Sequence, residues 1–196
     1  MIELNLVANA LRRAAFELTD EDGIVVIPDL RQIDDYDCGV SSAQAILAYY
    51  GYDFQENALF GALDVTKKSG TTCESLVRLY KKVGLQVIAR NGLTIDNLKT
   101  CVDRGYPVQC LIQAWTDDPL HVDWSTSENG HYVVAVGYKG NGIIFEDPST
   151  FERAFLTQEA LLERWHHDDW EMKTKQYGIV VIGIPQYLPD RLHVML

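Results

Sequence analysis

Gln32 and Cys38 bracket the polar segment Ile33-Asp34-Asp35-Tyr36-Asp37. From Cys38 onward the spacing of Val40, Ala43, Ile46, Leu47 and Tyr50 predicts a helix, with Gly51 as its stop. A thiol would therefore sit at a helix start. A free thiol is mostly protonated near neutrality, since its reference pKa is about 8.5. Unpaired backbone N–H groups at a helix N-terminus favour the thiolate, and a nearby imidazolium favours it further. Gly39 removes a side chain that could crowd an approaching carbonyl, while the Asp37 carboxylate works against a thiolate. The ordinary fate of a cysteine is burial as a small apolar residue. Cys73, Cys101 and Cys110 lie inside helix or strand patterns and are read that way. Cys38 is set apart by the residues that accompany it.

His131 is the best base among the five histidines. It opens the apolar run Tyr132-Val133-Val134-Ala135-Val136, a strand that would hold its ring, and Gly130 leaves room beside it. His121, on a loop, is second choice, and His193 lies in the tail. Asp147, in Asp147-Pro148-Ser149, could accept from the imidazole, fix its tautomer and stabilise its cation, although Asp-Pro is also a common turn. Gln32 could fold back beside the thiol and donate to the anion of an acyl-transfer intermediate.

This assignment carries a geometric condition. A two-residue hairpin loop at Gly140-Asn141 would put His131 and Asp147 on opposite faces, because side chains alternate along strands. The pair requires either an odd loop or a bulge.

The elements around these residues follow from periodicity. Helices are expected at 4–18, 38–50, 73–83 (capped by Thr71 or Thr72), 95–104 and 158–165. Strands are expected at 24–27, 85–89, 108–114, 131–138, 142–147 and 178–184. Residues 115–130 are polar and aromatic without a period, and are read as a lid or substrate loop whose Trp115 and Trp124 would contact substrate together with Gly39 and Gly130. Helices come first and strands follow, the α+β order of an N-terminal helical lobe packed on a C-terminal twisted antiparallel β-sheet. One domain spans 1–196: an extension (1–29), a mainly helical lobe with the thiol (30–112) and a mainly β lobe with the histidine and aspartate (113–196).

Composition excludes several classes. The 196 residues carry a net charge of −11 and no basic stripe, so neither nucleic acid nor an anionic membrane surface is expected as a partner. No segment approaches the roughly 18 apolar residues of a spanning helix. Met1-Ile2-Glu3-Leu4-Asn5-Leu6 lacks the basic and apolar regions of a signal peptide. The four cysteines show no CxxC pair and no zinc spacing, which suits reduced thiols in the cytoplasm. His166 and His167, beside Asp168 and Asp169, imitate a metal site, but neighbouring histidines on a helix diverge, so no metal and no cofactor are expected.

With these parts assembled, the chain resembles the bacteriocin-processing, double-glycine cysteine peptidases and their stand-alone relatives in the papain-like superfamily. The resemblance rests on Gln32…Asp37-Cys38-Gly39-Val40-Ser41-Ser42…Tyr49-Tyr50-Gly51, on Gly130-His131-Tyr132-Val133-Val134-Ala135-Val136-Gly137, and on Glu146-Asp147-Pro148-Ser149. It spans roughly residues 30–182. It implies a papain-like fold, Cys38 as nucleophile, His131 as base and then acid, Asp147 as orienter and Gln32 as oxyanion donor. The implied reaction is hydrolysis of a peptide bond in a peptide or protein substrate through a thioester acyl-enzyme. A peptidyl or acyl transferase using the same site, or a non-catalytic peptide-binding module on the same fold, are the alternatives. Family members often cleave after Gly-Gly in leader peptides as part of an export transporter. No transmembrane or ATP-binding segment is visible here, and the Trp-rich loop is an addition, so the resemblance carries chemistry further than specificity.

Overall fold

The computed structural model describes residues 23–68, 70–115, 123–125, 129–168 and 173–189. The helix expected at 4–18, His121, His193 and most of the Trp-rich loop lie outside these.

The long helix α1 (Cys38–Tyr49) buries nearly every side chain, from Val40 to Tyr49. Such a helix must be enclosed by other elements. It lies on one face of the sheet with α2 (Glu56–Leu63) and α3 (Cys73–Lys82). Its far end is tied down by Tyr50 Oη, which donates to Val181 O at 2.7 Å, and by Tyr49 Oη, which donates to Gly105 O at 3.0 Å. Thr72 caps α3 by accepting from the Ser75 N–H.

The sheet has six antiparallel strands in the order β1-β8-β2-β3-β4-β5. These are β1 (Gln86–Arg90), β2 (Val108–Gln113), β3 (Gly130–Lys139), β4 (Gly142–Glu146), β5 (Ala154–Thr157) and β8 (Gly178–Ile182). Helix α4 (Ile95–Val102) and helix α5 (Gln158–Arg164) cover the opposite face. The central strand β2 is buried along its whole length, as burial on both faces requires. Leu111, Tyr132, Val134 and Val136 face α1, whereas Cys110, Val133, Ala135 and Phe145 face Trp165 and Leu161.

The expected α+β segregation is present, with two further helices behind the sheet. Four elements lie outside the expectations: α2, β5, β6 (His166–Asp168) and β7 (Lys173–Lys175). The last two form a separate small hairpin. His166 and His167 therefore stand on a strand, which corrects the helical placement read from sequence. Residues 24–27 are not a strand; only Val25 bridges the sheet, its N–H donating to Val136 O at 2.7 Å.

That contact marks the feature on which the site depends. The β3–β4 turn is the two-residue loop Gly140-Asn141, with Lys139 opposite Gly142. Pairing holds through Gly137 opposite Ile144 and then resumes at Ala135 opposite Phe145. Val136 is the extra residue, a β-bulge, and Val25 satisfies its carbonyl. Continued one step past Val134–Glu146, the shifted register sets Asp147 opposite Val133, on the face of His131.

Candidate active site

His131 is fully buried at the start of β3. Its Nε2 and Asp147 Oδ1 are 2.7 Å apart. The same Oδ1 accepts from the Ser149 N–H at 2.8 Å and the Ser149 hydroxyl at 2.7 Å. Burial pulls the His131 pKa down, but the Asp147 hydrogen bond and the neighbouring Cys38 thiol outweigh it, and the imidazole is raised to about 9. Burial likewise pulls the Asp147 carboxyl upward, yet His131 and Ser149 hold it below the usual carboxylate range.

Because Nε2 is engaged by Asp147, Nδ1 is the nitrogen left for a reacting partner. It is buried and has no hydrogen-bond partner. Cys38 is close enough to stabilise the imidazolium, but the two make no well-formed hydrogen bond. A thiol near, but not bonded to, its base is common before substrate tightens the geometry. Cys38 is 8% exposed at the first position of α1. The Trp115 ring lies against the imidazole at 4.4 Å between centroids.

Gln32 is tied to the turn carrying Asp147. Its N–H donates to Pro148 O at 2.9 Å, and Arg31 Nη1 donates to Asp147 O at 2.6 Å. Its amide Nε2 donates to Asp34 O at 2.9 Å. An amide nitrogen carries two protons, so one remains to be given. A cleft of about 500 Å³ opens here, lined by Gln32, Ile33, Asp35, Trp115, Gly130 and Ser149 among others. Cys38 and His131 do not themselves line it.

The remaining expected residues are placed as follows. A Cβ on Gly39 would come within 2.7 Å of Thr71 Cβ, so the missing side chain makes room for the protein's own loop before α3. A Cβ on Gly130 would meet His167 Nδ1 at 2.7 Å, so that glycine admits the β6 imidazole. Trp124 is not on the cleft wall; Arg164 stacks on its ring at 3.8 Å, and its carbonyl meets His166 Nε2. Among the described residues, no group of His, Cys, Asp and Glu is arranged to hold a metal ion.

Sequence reasoning missed the group that fixes the start of α1. Gln109, fully buried on β2, accepts from Tyr80 Oη at 2.7 Å and donates to Ser42 Oγ at 2.7 Å. Ser42 Oγ in turn donates to the Cys38 carbonyl at 2.6 Å. Its only sequence signal was a glutamine inside an apolar strand pattern. Ser149 had a clearer one, since a hydroxyl two residues after an aspartate marks a side-chain-bonded turn.

The fold is shared with solved double-glycine peptidase domains. The peptidase domain of Streptococcus ComA, a bifunctional ABC transporter involved in quorum sensing, is 21% identical, with a TM-score of 0.59 over 80% of this chain and 97% of that one. A double glycine motif protease from an AMS/PCAT transporter, in complex with the leader peptide, is 17% identical, with a TM-score of 0.58 over 85% and 96%. A C39-like protein of Bacillus anthracis is 20% identical, with a TM-score of 0.61 over 85% and 100%. The papain-like architecture expected from the motifs is thus present. No curated protein sequence matches the chain. The model of the Peptidase_C39 like family matches residues 24–177, which takes in Gln32, Cys38, His131 and Asp147 alike, and the chain belongs to that family.

Proposed function

We propose that this protein is a cysteine peptidase that hydrolyses a peptide bond through a thioester acyl-enzyme, on one papain-like domain. The observation that carries the reading is the buried His131 imidazole: Nε2 is held by Asp147, and the unpartnered Nδ1 is left for Cys38. The Cys38 thiolate attacks the scissile carbonyl carbon. The resulting oxyanion takes hydrogen bonds from the spare Gln32 amide proton and from the Cys38 N–H at the start of α1. As the intermediate collapses, His131 Nδ1 gives its proton to the departing amine, leaving a thioester on Cys38. The same nitrogen then takes a proton from water, whose oxygen attacks the thioester and releases the acid. Asp147 keeps the ring oriented and its cation favourable throughout.

A peptide substrate is supported by the family and by the leader peptide bound in the structural neighbour. The four free cysteines agree with a reducing compartment, and we place the enzyme in the cytoplasm. No helix among the described residues is long and apolar enough to cross a membrane. The test is digestion of a proteome-derived peptide library by the wild-type protein and by Cys38→Ala. Cleavages made by the wild type and absent with Cys38→Ala are expected; identical peptide maps would sink the proposal and favour a binding module.

A further inference from the structure

Asp37 stands at the N-cap of α1, where a short polar side chain ordinarily accepts from the first free N–H groups of the helix. It makes no such bond. Its side chain turns back instead, and Oδ2 accepts from the N–H of Ile33 at 3.0 Å and of Asp34 at 3.2 Å. The residue is 0% exposed, and Oδ1 is buried without a partner. A carboxyl buried beside a site of developing negative charge opposes the chemistry proposed above. What its two bonds hold in place explains the arrangement.

Asp34 is fixed through its N–H by Asp37, and its carbonyl is the group that accepts from Gln32 Nε2. The Gln32 main chain is fixed separately, by Pro148 O. The amide of Gln32 is thus aimed by a short chain of contacts that begins at Asp37. We propose that Asp37 is the positioning residue for the Gln32 oxyanion donor, holding the 32–37 loop folded instead of capping the helix. This inference rests on the peptidase reading.

The test compares two reagents at Cys38. p-Nitrophenyl acetate acylates the thiol through a tetrahedral oxyanion, whereas iodoacetamide alkylates it by displacement at a saturated carbon and forms none. Asp37→Ser is the informative variant: a serine can cap the helix, so α1 keeps its start, but its short side chain cannot hold both loop N–H groups. Acylation is expected to fall about 10²-fold, the worth of one oxyanion donor, while alkylation is unchanged or faster. Asp37→Asn, with one carbonyl oxygen able to accept both N–H groups, should retain most of the acylation rate. In a Gln32→Ala background, Asp37→Ser should add no further loss. Amide hydrogen exchange at Ile33 and Asp34 should accelerate in Asp37→Ser and not in Asp37→Asn.

Equal losses with both reagents, additive losses with Gln32→Ala, or unchanged exchange at Ile33 and Asp34 would each overturn the positioning role while leaving the peptidase reading standing. A wild-type Cys38 no faster than Cys73 with either reagent would remove both together.

Discussion

Gln109 Nε2 and Ser42 Oγ meet at 2.7 Å in a region closed to solvent, and through Ser42 the strand next to His131 grips the Cys38 carbonyl. Cys38 and His131 are thereby referenced to the same pair of strands, since β2 carries Gln109 and β3 carries His131. Gln109→Leu would orphan the fully buried Tyr80 hydroxyl, so a loss of about 1–3 kcal/mol is expected in urea unfolding. Adding Tyr80→Phe should recover part of it, because apolar replacement of both partners leaves no unpaired group. A double variant as unstable as the sum of the two singles would contradict this account.

The reacting groups should fail in a graded order. Cys38→Ala should abolish turnover while peptide binding survives, and His131→Ala should come close to it because the two act as a unit. Asp147→Asn should be milder, since an asparagine oxygen can still accept from Nε2. Gln32→Ala should cost about 10²-fold in kcat. Steady-state kinetics on one cleaved peptide would rank the four, and wild-type turnover by Gln32→Ala would remove that residue from the mechanism.

The pH dependence follows from His131. Burial lowers its pKa, while Asp147 and Cys38 raise it further than that, to about 9. The alkaline limb of kcat/KM is therefore expected near pH 9, as the imidazolium is lost. Asp147→Asn leaves burial less opposed and should move the limb to lower pH. The same shift acts on folding. With a folded-state pKa above the unfolded value of about 6.5, the contribution is full below that value and is lost as pH rises through about 9. Urea titrations across this range should show a steeper alkaline decline for wild type than for Asp147→Asn; parallel curves would count against the pair.

Thiol labelling should single out Cys38. Burial pushes the Cys73 thiol up to about 11, raises Cys101, and raises Cys110 well beyond it. These three thiols are held protonated by burial, whereas Cys38 lies beside the His131 imidazole, so at about pH 6 iodoacetamide should modify Cys38 first. Peptide mass spectrometry reads the order directly. Labelling of Cys38 no faster than that of Cys101 would argue against a thiolate–imidazolium pair.

Much of this arrangement was legible in the residues. The apolar spacing after Cys38, the cap expected at Thr71 or Thr72 and the periodicity of 95–104 pointed to α1, α3 and α4; the structure puts the α3 cap at Thr72 and adds one at Thr94. Alternation demanded a bulge or an odd loop between His131 and Asp147, and the bulge is present at Val136. Three-residue strands such as β6 and β7 were not legible, since alternation over so few residues has no measurable period. Helix α2 buries only Leu59 and Leu63 and has no polar side-chain cap, so neither periodicity nor an N-terminal signal announced it. The Gln109 contacts join residues far apart in the chain, which a linear pattern does not record, and the Asp37 bonds, though local, turn away from the capping role its position suggests.

The bulge at Val136 makes the count of residues in this hairpin an inherited constraint. A single insertion or deletion in the paired segment between His131 and Asp147 would turn the histidine and the carboxylate to opposite sides of the sheet, even if every strand still paired. Two such changes together would restore them. Length in the paired segments can therefore drift only in even steps, whereas a residue added to the exposed Gly140-Asn141 tip leaves the register as it is.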